Sequence, residues 1–341
     1  MGQGDGGAWA WSSWRILSLL ALAGVGTAVF LWVETRAKEP LLDLKLFRLR
    51  AFSTGNAAVF IIGAVFLSGV VFLPLFMVNV VGLSATRSGL TITPLTLGVV
   101  AGNVLSGQLV SKLGRYKVLL LGSLVLLTVG FAVMGFTLTP ESTQAEVTAK
   151  MVLVGLGLGP SIPLFTMAIQ NAVPPQRIGV ATSSATFFRQ LGMTMGVALL
   201  GTVFAATLSN ELGARMPEAT AGLPESVRAQ VTAASPGTSG EGAPAGEAFQ
   251  AGAVKERLRT EFEAERRAAG ATERARVDAE ERRALESVDR AQQALKAAFT
   301  RGVSAVYRVA ILIALLALLV TLFLPEQPLR RGAGPTPPPA E

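Results

Sequence analysis

Seven apolar stretches, each long enough to cross a lipid bilayer, constrain this chain more than any motif in it. They occupy residues 16–33, 52–81, 90–110, 118–138, 151–169, 180–208 and 303–324. About 20 helical residues, at about 1.5 Å each, cross the hydrocarbon core, so every stretch can span it, some with tilt. Backbone N–H and C=O groups find no water in lipid. Continuous apolar runs without period-2 alternation satisfy those groups as helices rather than as barrel strands. The sequence therefore predicts an all-α membrane protein with seven transmembrane helices. Its 50% hydrophobic and 16% charged residues, and its mean hydropathy of +0.49, agree with that class.

The chain contains no Cys and no His. That removes disulfides, thiolate chemistry, zinc sites built on imidazole and every His-based catalytic triad. The reading is a protein that is not an enzyme, with no catalytic residues, no metal ligands and no cofactor. The net charge of +7 raises the question of nucleic acid. The basic residues are scattered over short loops rather than gathered in one patch, so no nucleic-acid partner is expected.

Those loops predict an orientation. Arg36, Lys38, Lys45, Arg48 and Arg50 lie between the first and second stretches, and Lys112, Arg115 and Lys117 between the third and fourth. Arg177 lies between the fifth and sixth, and Arg330 and Arg331 follow the seventh. The opposite face holds only Arg15, Arg87 and Lys150 in its short segments. By the positive-inside rule the amino terminus lies outside and the carboxyl terminus in the cytoplasm. The richness in Ala, Gly and Arg suggests a high-GC bacterial gene, and hence a bacterial plasma (inner) membrane. The heavier charge after the first stretch argues against a cleaved signal peptide. An outward amino terminus with no signal before it suggests that sequence upstream is missing.

The expected domains are an external N-terminus, first helix and basic cytoplasmic loop (1–51), five further spans (52–208), an external insert (209–302), a last span (303–324) and a Pro-rich cytoplasmic tail (325–341). Within the insert, residues 211–250 are rich in Gly, Pro, Ser, Thr and Ala and read as a flexible linker. Residues 255–296 are dense in Glu, Arg and Ala. Val254, Leu258 and Phe262 fall at i, i+4 spacing, with Val277, Leu285, Val288 and Leu295 further on. This reads as a charged helical hairpin turning near Ala269-Gly270-Ala271. It is either a water-facing extension of the last two spans or a gate or partner-binding element.

Small residues mark packing seams. Gly98, Gly102 and Ser106 recur every four residues, as do Gly192 and Gly196, and each row offers a groove for a close helix neighbour. Pro74 interrupts the second span. Gly155, Gly157, Gly159, Pro160 and Pro163 interrupt the fifth, and these are bend candidates as well as packing positions.

Polar side chains within the spans point to a pathway, because lipid-facing polarity is costly. The candidates are Asn56 and Asn79 in the second span, Asn103 and Gln108 in the third, Gln170 and Asn171 at the end of the fifth, and Arg189 with Gln190 in the sixth. Arg189 either serves function or snorkels to an interface. Asn56, Asn79 and Gln170 lie nearer to span ends. No Asp or Glu occurs in any of the seven stretches, so there is no obvious proton carrier.

The run Gly107-Gln108-Leu109-Val110-Ser111-Lys112-Leu113-Gly114-Arg115-Tyr116-Lys117 resembles the cytoplasmic loop signature of the major facilitator superfamily. Ser111 stands where that signature has Asp, and Tyr116 where it has a basic residue. The resemblance implies that Gly107 and Gly114 serve the turn, while Lys112, Arg115 and Lys117 hold an inner gate or fix topology. The charge-relay role of the missing Asp does not carry over.

Further segments resemble the fourteen-helix drug:proton antiporter branch (EmrB/QacA type). These are Pro40-Leu41-Leu42-Asp43-Leu44 with Leu46-Phe47-Arg48, Thr86-Arg87-Ser88-Gly89-Leu90 with Pro94, Ala168-Ile169-Gln170-Asn171-Ala172-Val173-Pro174, and Phe187-Phe188-Arg189-Gln190-Leu191-Gly192 with Gly196-Val197-Ala198 and Gly201-Thr202. The resemblance implies that the first helix is a linker helix and the other six form the carboxyl-terminal bundle, as two inverted triplets. Coupling carboxylates would lie in an amino-terminal half that is missing or separately encoded. The implied activity is proton-gradient-driven export of small amphipathic organic compounds. Phe60, Phe72 and Met77 would be adaptable apolar contacts on one wall of the cavity. A non-transporting membrane anchor, a homodimer of half-transporters and one half of a split transporter remain alternatives.

Overall fold

In the computed structural model, residues 13–36, 43–83, 90, 92–224, 228, 251–268 and 270–326 are described. The Pro40-Leu41-Leu42 segment, most of the Thr86–Leu90 motif, most of the linker at 225–250 and the tail beyond 326 lie outside them. Among the described residues there is no strand. The helices are α1 (Trp14–Arg36), α2 (Arg50–Phe76), α3 (Ile92–Leu113), α4 (Tyr116–Thr137), α5 (Gln144–Leu158), α6 (Ser161–Asn171), α7 (Ile178–Ala219), α8 (Ala251–Ala268) and α9 (Ala271–Leu322). Seven helical segments are long and apolar enough to cross a membrane, with α5 and α6 together forming one of them.

The six segments after α1 fall into two triplets, α2, α3, α4 and α5/α6, α7, α9. The triplets pack on each other by one repeated scheme. The middle helix of each lies on the first helix of the other, α7 on α2 and α3 on α5; likewise α9 lies on α2 and α4 lies on α5, and the two last helices, α4 and α9, pack together.

The residues of the seams follow the same scheme. Gly192 and Gly196 of α7 face the carbonyls of Phe60 and Ala64 on α2; Gly98 and Gly102 of α3 face the carbonyls of Val152 and Leu156 on α5. A glycine answers from the other helix in both places, Gly63 against the Arg189 carbonyl and Gly155 against the Leu95 carbonyl. The spacing is identical: each answering glycine comes three residues after the first faced carbonyl, and each carbonyl it meets comes three residues before the first glycine of the row. Two helices approach this closely only where neither has a Cβ in the way, which in lipid substitutes for the hydrophobic drive available in water.

The core lies between α4 and α9, where Leu120, Leu124, Leu127, Phe131 and Met134 meet Val303, Val306, Tyr307, Ala310, Ala314 and Ala317, all buried. Phe131 and Tyr307 pack as a tilted pair with ring centres 5.8 Å apart. Small residues on one face of α9 admit the large ones of α4, so the layers interdigitate.

The two proline- and glycine-rich places take different forms. α2 passes through Pro74 and widens into a π-helical turn over Met77–Val81, which ends at Gly82 with φ 83°. Proline lacks the N–H for one ladder bond, and such helices commonly re-form with a local π turn. α5 ends at Leu158 and α6 starts at Ser161, so Gly159-Pro160 separates two helices of one span. The glycines there also pack: Gly155 and Gly159 on α3, and Gly157 on Leu127 of α4.

The insert departs from the sequence reading at 211–219, while its long helices run on from the last two spans, one of the alternatives that the sequence offered. α7 continues to Ala219 rather than ending near 208, and α9 runs unbroken from Ala271 through the 302/303 boundary to Leu322. At 1.5 Å per residue these helices are about 63 and 78 Å long. The stretch at 211–219 is therefore helix where a flexible linker was expected. Its Ala, Glu, Leu, Arg and Met are good helix formers, Pro217 is its lone proline, and Glu211 accepts from Arg215 at 2.9 Å and from Arg301 of α9 at 2.6 Å. α8 lies along α9 through Lys255–Asp289, Arg266–Asp278 and Arg266–Glu281 ion pairs. Leu223, Leu258, Phe262, Val277 and Val288 form a small core of their own beneath them.

Candidate functional site

The bundle presents two kinds of exposed helix face. On α4 the exposed residues are Val118, Gly122, Val125, Val129 and Phe136 before the terminal Thr137. On the membrane part of α9 they are Leu312, Leu315, Leu316, Leu319 and Leu322 below Arg308. Those faces suit acyl chains. α3 exposes Thr96, Asn103, Gly107 and Ser111 among the apolar Leu97, Val100, Val104, Leu105 and Leu109, and α7 exposes Ser183, Gln190 and Thr194 among Phe187, Leu191, Met195 and Leu199. Spacings of seven and four place each set on one side of its helix, turned away from the glycine row. The Thr96 hydroxyl donates to the Ile92 carbonyl at 3.2 Å and that of Thr194 to the Gln190 carbonyl at 3.0 Å. Each hydroxyl is thereby fixed with its acceptor lone pairs still free. Thr96 and Gln190 hold equivalent places in the two seams, one residue after Leu95 and Arg189.

The other pathway candidates are spread through the bundle. Asn103 is exposed on α3, and its carbonyl accepts from Ser106 at 2.7 Å. Gln108 is exposed further along the same helix. Arg189 is half-buried, eleven residues into α7, about 16 Å from its start, and no hydrogen bond or ion pair of its guanidinium occurs among the described residues. Gln170 is half-buried and donates to the Thr182 hydroxyl at 2.8 Å, tying α6 to α7. Phe60 is half-buried, with its carbonyl in the seam.

Three candidates differ from expectation. Asn56, expected near an interface, is buried inside the bundle. Its Nδ2 donates to the Phe52 carbonyl at 2.9 Å and its Oδ1 has no partner among the described residues. Phe72 and Met77, expected on a cavity wall, are enclosed at 3% and 0% exposure, and Phe72 packs on Phe204 of α7 with ring centres 5.3 Å apart. Phe72 lies on α2 before Pro74 and Met77 at the start of the π turn after it, both enclosed by neighbouring helices.

The loop signature forms the tight turn from α3 into α4. Gly114 has φ 66°, a conformation that favours glycine after a helix end, and its N–H donates to the Val110 carbonyl at 2.9 Å. Ser111 donates to its own helix at Gln108, and Lys112 and Arg115 are exposed. Lys117 donates to the Leu322 carbonyl at 2.9 Å and the Tyr116 hydroxyl to the Pro325 carbonyl at 3.3 Å, so the loop closes on the end of α9. Tyr116 is 1% exposed. The departure from the signature's basic residue is a buried pillar, a role the sequence reading did not assign.

The same end of the bundle carries a contact that the sequence reading missed. Asp43 accepts from the Lys45 N–H at 3.0 Å and pairs with Arg177 at 3.2 Å, and Phe47 packs on Phe52 and Phe188 at 5.0 and 5.7 Å. The short 3-10 helix Leu44–Arg48 is thereby fastened across α2 and α7. An Asp before a helical turn was a readable cap signal; its partner 134 positions away was not.

Fold and site together define a multi-pass helical membrane bundle with a repeated triplet and polar residues on exposed faces of two of its helices. Residues 4–197, more than half the chain, match the Major Facilitator Superfamily, and the chain belongs to it. It is 38% identical over 204 residues to the multidrug transporter protein MdtP of Bacillus subtilis, a match covering 60% of this chain and 37% of MdtP. It is 34% identical over 212 residues to a tetracycline resistance determinant of Streptomyces rimosus, covering 61% and 60% of the two chains. It is 32% identical over 212 residues to the tetracenomycin C resistance and export protein of Streptomyces glaucescens, covering 62% and 39%. The chain thus spans well under half of MdtP and of the tetracenomycin C protein.

Proposed function

We propose that this chain is the carboxyl-terminal half of an alternating-access efflux transporter of the fourteen-helix EmrB/QacA branch, exporting small amphipathic organic compounds against proton entry. The observation that carries this reading is the pair of equivalent seams. They make a symmetric six-segment unit whose polar stripes, Thr96 with Asn103 and Gln190 with Thr194, lie exposed. Polar side chains at membrane depth belong against protein or water, so these stripes take a second bundle and the aqueous cavity between the halves. The second bundle supplies the coupling carboxylate, since residues 52–138, 151–208 and 303–324 contain no Asp or Glu. In this reading the Gly114 end faces the cytoplasm of a bacterial cell and the helical insert stands outside the plasma membrane. The names of the relatives, multidrug transport and tetracenomycin C export among them, support an organic substrate.

The test is ethidium export from an efflux-deficient bacterium expressing this chain alone or with a homologous amino-terminal bundle. The expected result is export with both parts, abolished by a protonophore, and none with this chain alone. Absence of export in both cases, with insertion of both parts verified, overturns the reading. It would favour a membrane anchor for the helical insert, a role consistent with the separate core between α8 and α9.

A further inference from the structure

The seven apolar stretches contain two charged residues, Arg189 and Arg308, and no carboxylate. Arg308 is occupied: its Nε donates to the Gly135 carbonyl at 3.0 Å, and its guanidinium lies 5.1 Å from the centre of the Phe136 ring. The half-buried Arg189 guanidinium has no hydrogen bond or ion pair among the described residues.

Two contacts fix where Arg189 stands. Its carbonyl meets Gly63, eleven residues beyond Phe52 at the start of the second apolar stretch. That distance is about 16 Å, roughly half the hydrocarbon thickness. The Thr182 hydroxyl, seven residues earlier on α7, accepts from Gln170 of α6 at 2.8 Å. Seven residues are close to two full turns, so Arg189 lies on the side of α7 that meets α6, about 10 Å further into the membrane. Thr186 and Met193, three residues before it and four after, share that side, the first exposed and the second half-buried. The helix α1 lies elsewhere: Phe30 of α1 stacks on Phe187 with ring centres 6.0 Å apart, and Phe187 is about 160° around α7 from Arg189.

A guanidinium at this depth, beside a hydroxyl and a thioether and with no carboxylate in any span to answer it, suits an anion carried on an apolar body. It takes a carboxylate through two parallel N–H···O bonds, strengthened where water is scarce, and repels an ammonium. We infer that the pathway face of this chain selects amphipathic carboxylates: Arg189 holds the carboxylate, Thr186 donates to it and Met193 meets the apolar body. This deepens the export reading and rests on it for the cavity. A cation such as ethidium is then a poorer substrate than a carboxylate of like size.

The experiment uses the full purified chain in phosphatidylcholine nanodiscs and three probes with one apolar body: pyrenebutyrate, pyrenebutanol and pyrenebutyl-trimethylammonium. After subtraction of empty nanodiscs, the butyrate should bind about tenfold more tightly than the alcohol, and the ammonium most weakly. Arg189→Gln should remove that order and Arg189→Lys should keep part of it. Arg276→Gln, at an exposed pair with Glu280, should leave it unchanged. Because the chain has no Cys, Thr186→Cys gives a second measurement that needs no affinity. Relative to a free thiol, it should react about tenfold faster with an anionic than with a cationic methanethiosulfonate, and adding Arg189→Gln should abolish the difference. Equal binding of the three probes, no binding of the butyrate, or an unchanged order in Arg189→Gln overturns the anion site and leaves the export reading standing. Loss of the order when a homologous amino-terminal bundle is added assigns Arg189 to an ion pair with that bundle and likewise overturns it. An Arg189-dependent preference for the butyrate, without export by the two-part assembly, sustains the site and fails the transport reading.

Discussion

The carbonyl oxygen of Phe60 on α2 occupies the space that a side chain on Gly192 of α7 would need: a Cβ built there comes closer to that oxygen than real Cβ atoms approach any atom. Both groups are backbone, so no rotamer change relieves the clash, and the helices must separate. Gly192→Ala and Gly196→Ala should each cost about 1–3 kcal/mol or more, the range for overpacking. Gly98→Ala and Gly102→Ala should behave alike, because they hold the equivalent places against Val152 and Leu156. Gly122→Ala and Gly201→Ala, with open space around them, should be neutral. Thermal unfolding of the purified variants in detergent checks the contrast, and equal stability of Gly192→Ala and Gly122→Ala would refute the seam.

An ion pair at the other end of the bundle predicts an asymmetry. Lys150 on α5 is 8% exposed, pairs with Glu146 and donates to the Thr137 carbonyl at the end of α4. The Glu146 side chain is 44% exposed. Removing the carboxylate leaves an enclosed ammonium with a single carbonyl, whereas removing the ammonium leaves a carboxylate that water can reach. Glu146→Gln should therefore destabilise by about 2 kcal/mol, below the 3–5 kcal/mol of a fully buried pair, and Lys150→Met by about 1 kcal/mol. Chemical denaturation of both variants decides the order.

Tyr116 supplies a test of the altered loop signature. Its ring is buried and its hydroxyl reaches Pro325 beyond α9. Tyr116→Phe should cost about 1 kcal/mol, the net worth of a hydrogen bond, whereas Tyr116→Arg, which restores the signature's basic residue, should cost several times more by burying a charge. Expression level and melting temperature report both, and a stable Tyr116→Arg protein would show that this turn can open to solvent.

These sites mark how far the amino-acid order alone leads. The seven spans were legible because lipid demands unbroken apolar helices, and Gly98/Gly102 and Gly192/Gly196 were legible as seams because spacing of four puts them on one face. Their partners were not, since pairing Gly192 with Phe60 requires knowing which helices meet. Nor could burial be read for Phe72 and Met77. In water the apolar side of a helix is the inner side, but a helix in lipid is apolar all round, and periodicity no longer separates core from surface. The run of α7 through Glu211 was hidden by a Gly- and Pro-rich neighbourhood, and it depends on the distant Arg301. The polar stripe was half visible: Gln190 and Asn103 were singled out, while Thr96 and Thr194 emerged once their glycine rows fixed which way α3 and α7 face.

Arg189 gives the sharpest test of the transport reading. A guanidinium eleven residues into α7, half-buried and without a hydrogen bond or ion pair among the described residues, is costly at membrane depth unless it meets water, substrate or another bundle. Its backbone already serves the seam through Gly63, so truncating the side chain leaves the packing intact. In a complete transporter, Arg189→Ala should lower the initial export rate about tenfold or more, since a lost hydrogen bond to a charged group is worth about 1.5–3 kcal/mol. Gln190→Ala, on the exposed stripe one residue on, should lower it less and unequally for different substrates. Initial rates of dye export at matched protein abundance measure both, and wild-type export by Arg189→Ala would place that side chain outside the pathway, at the membrane interface.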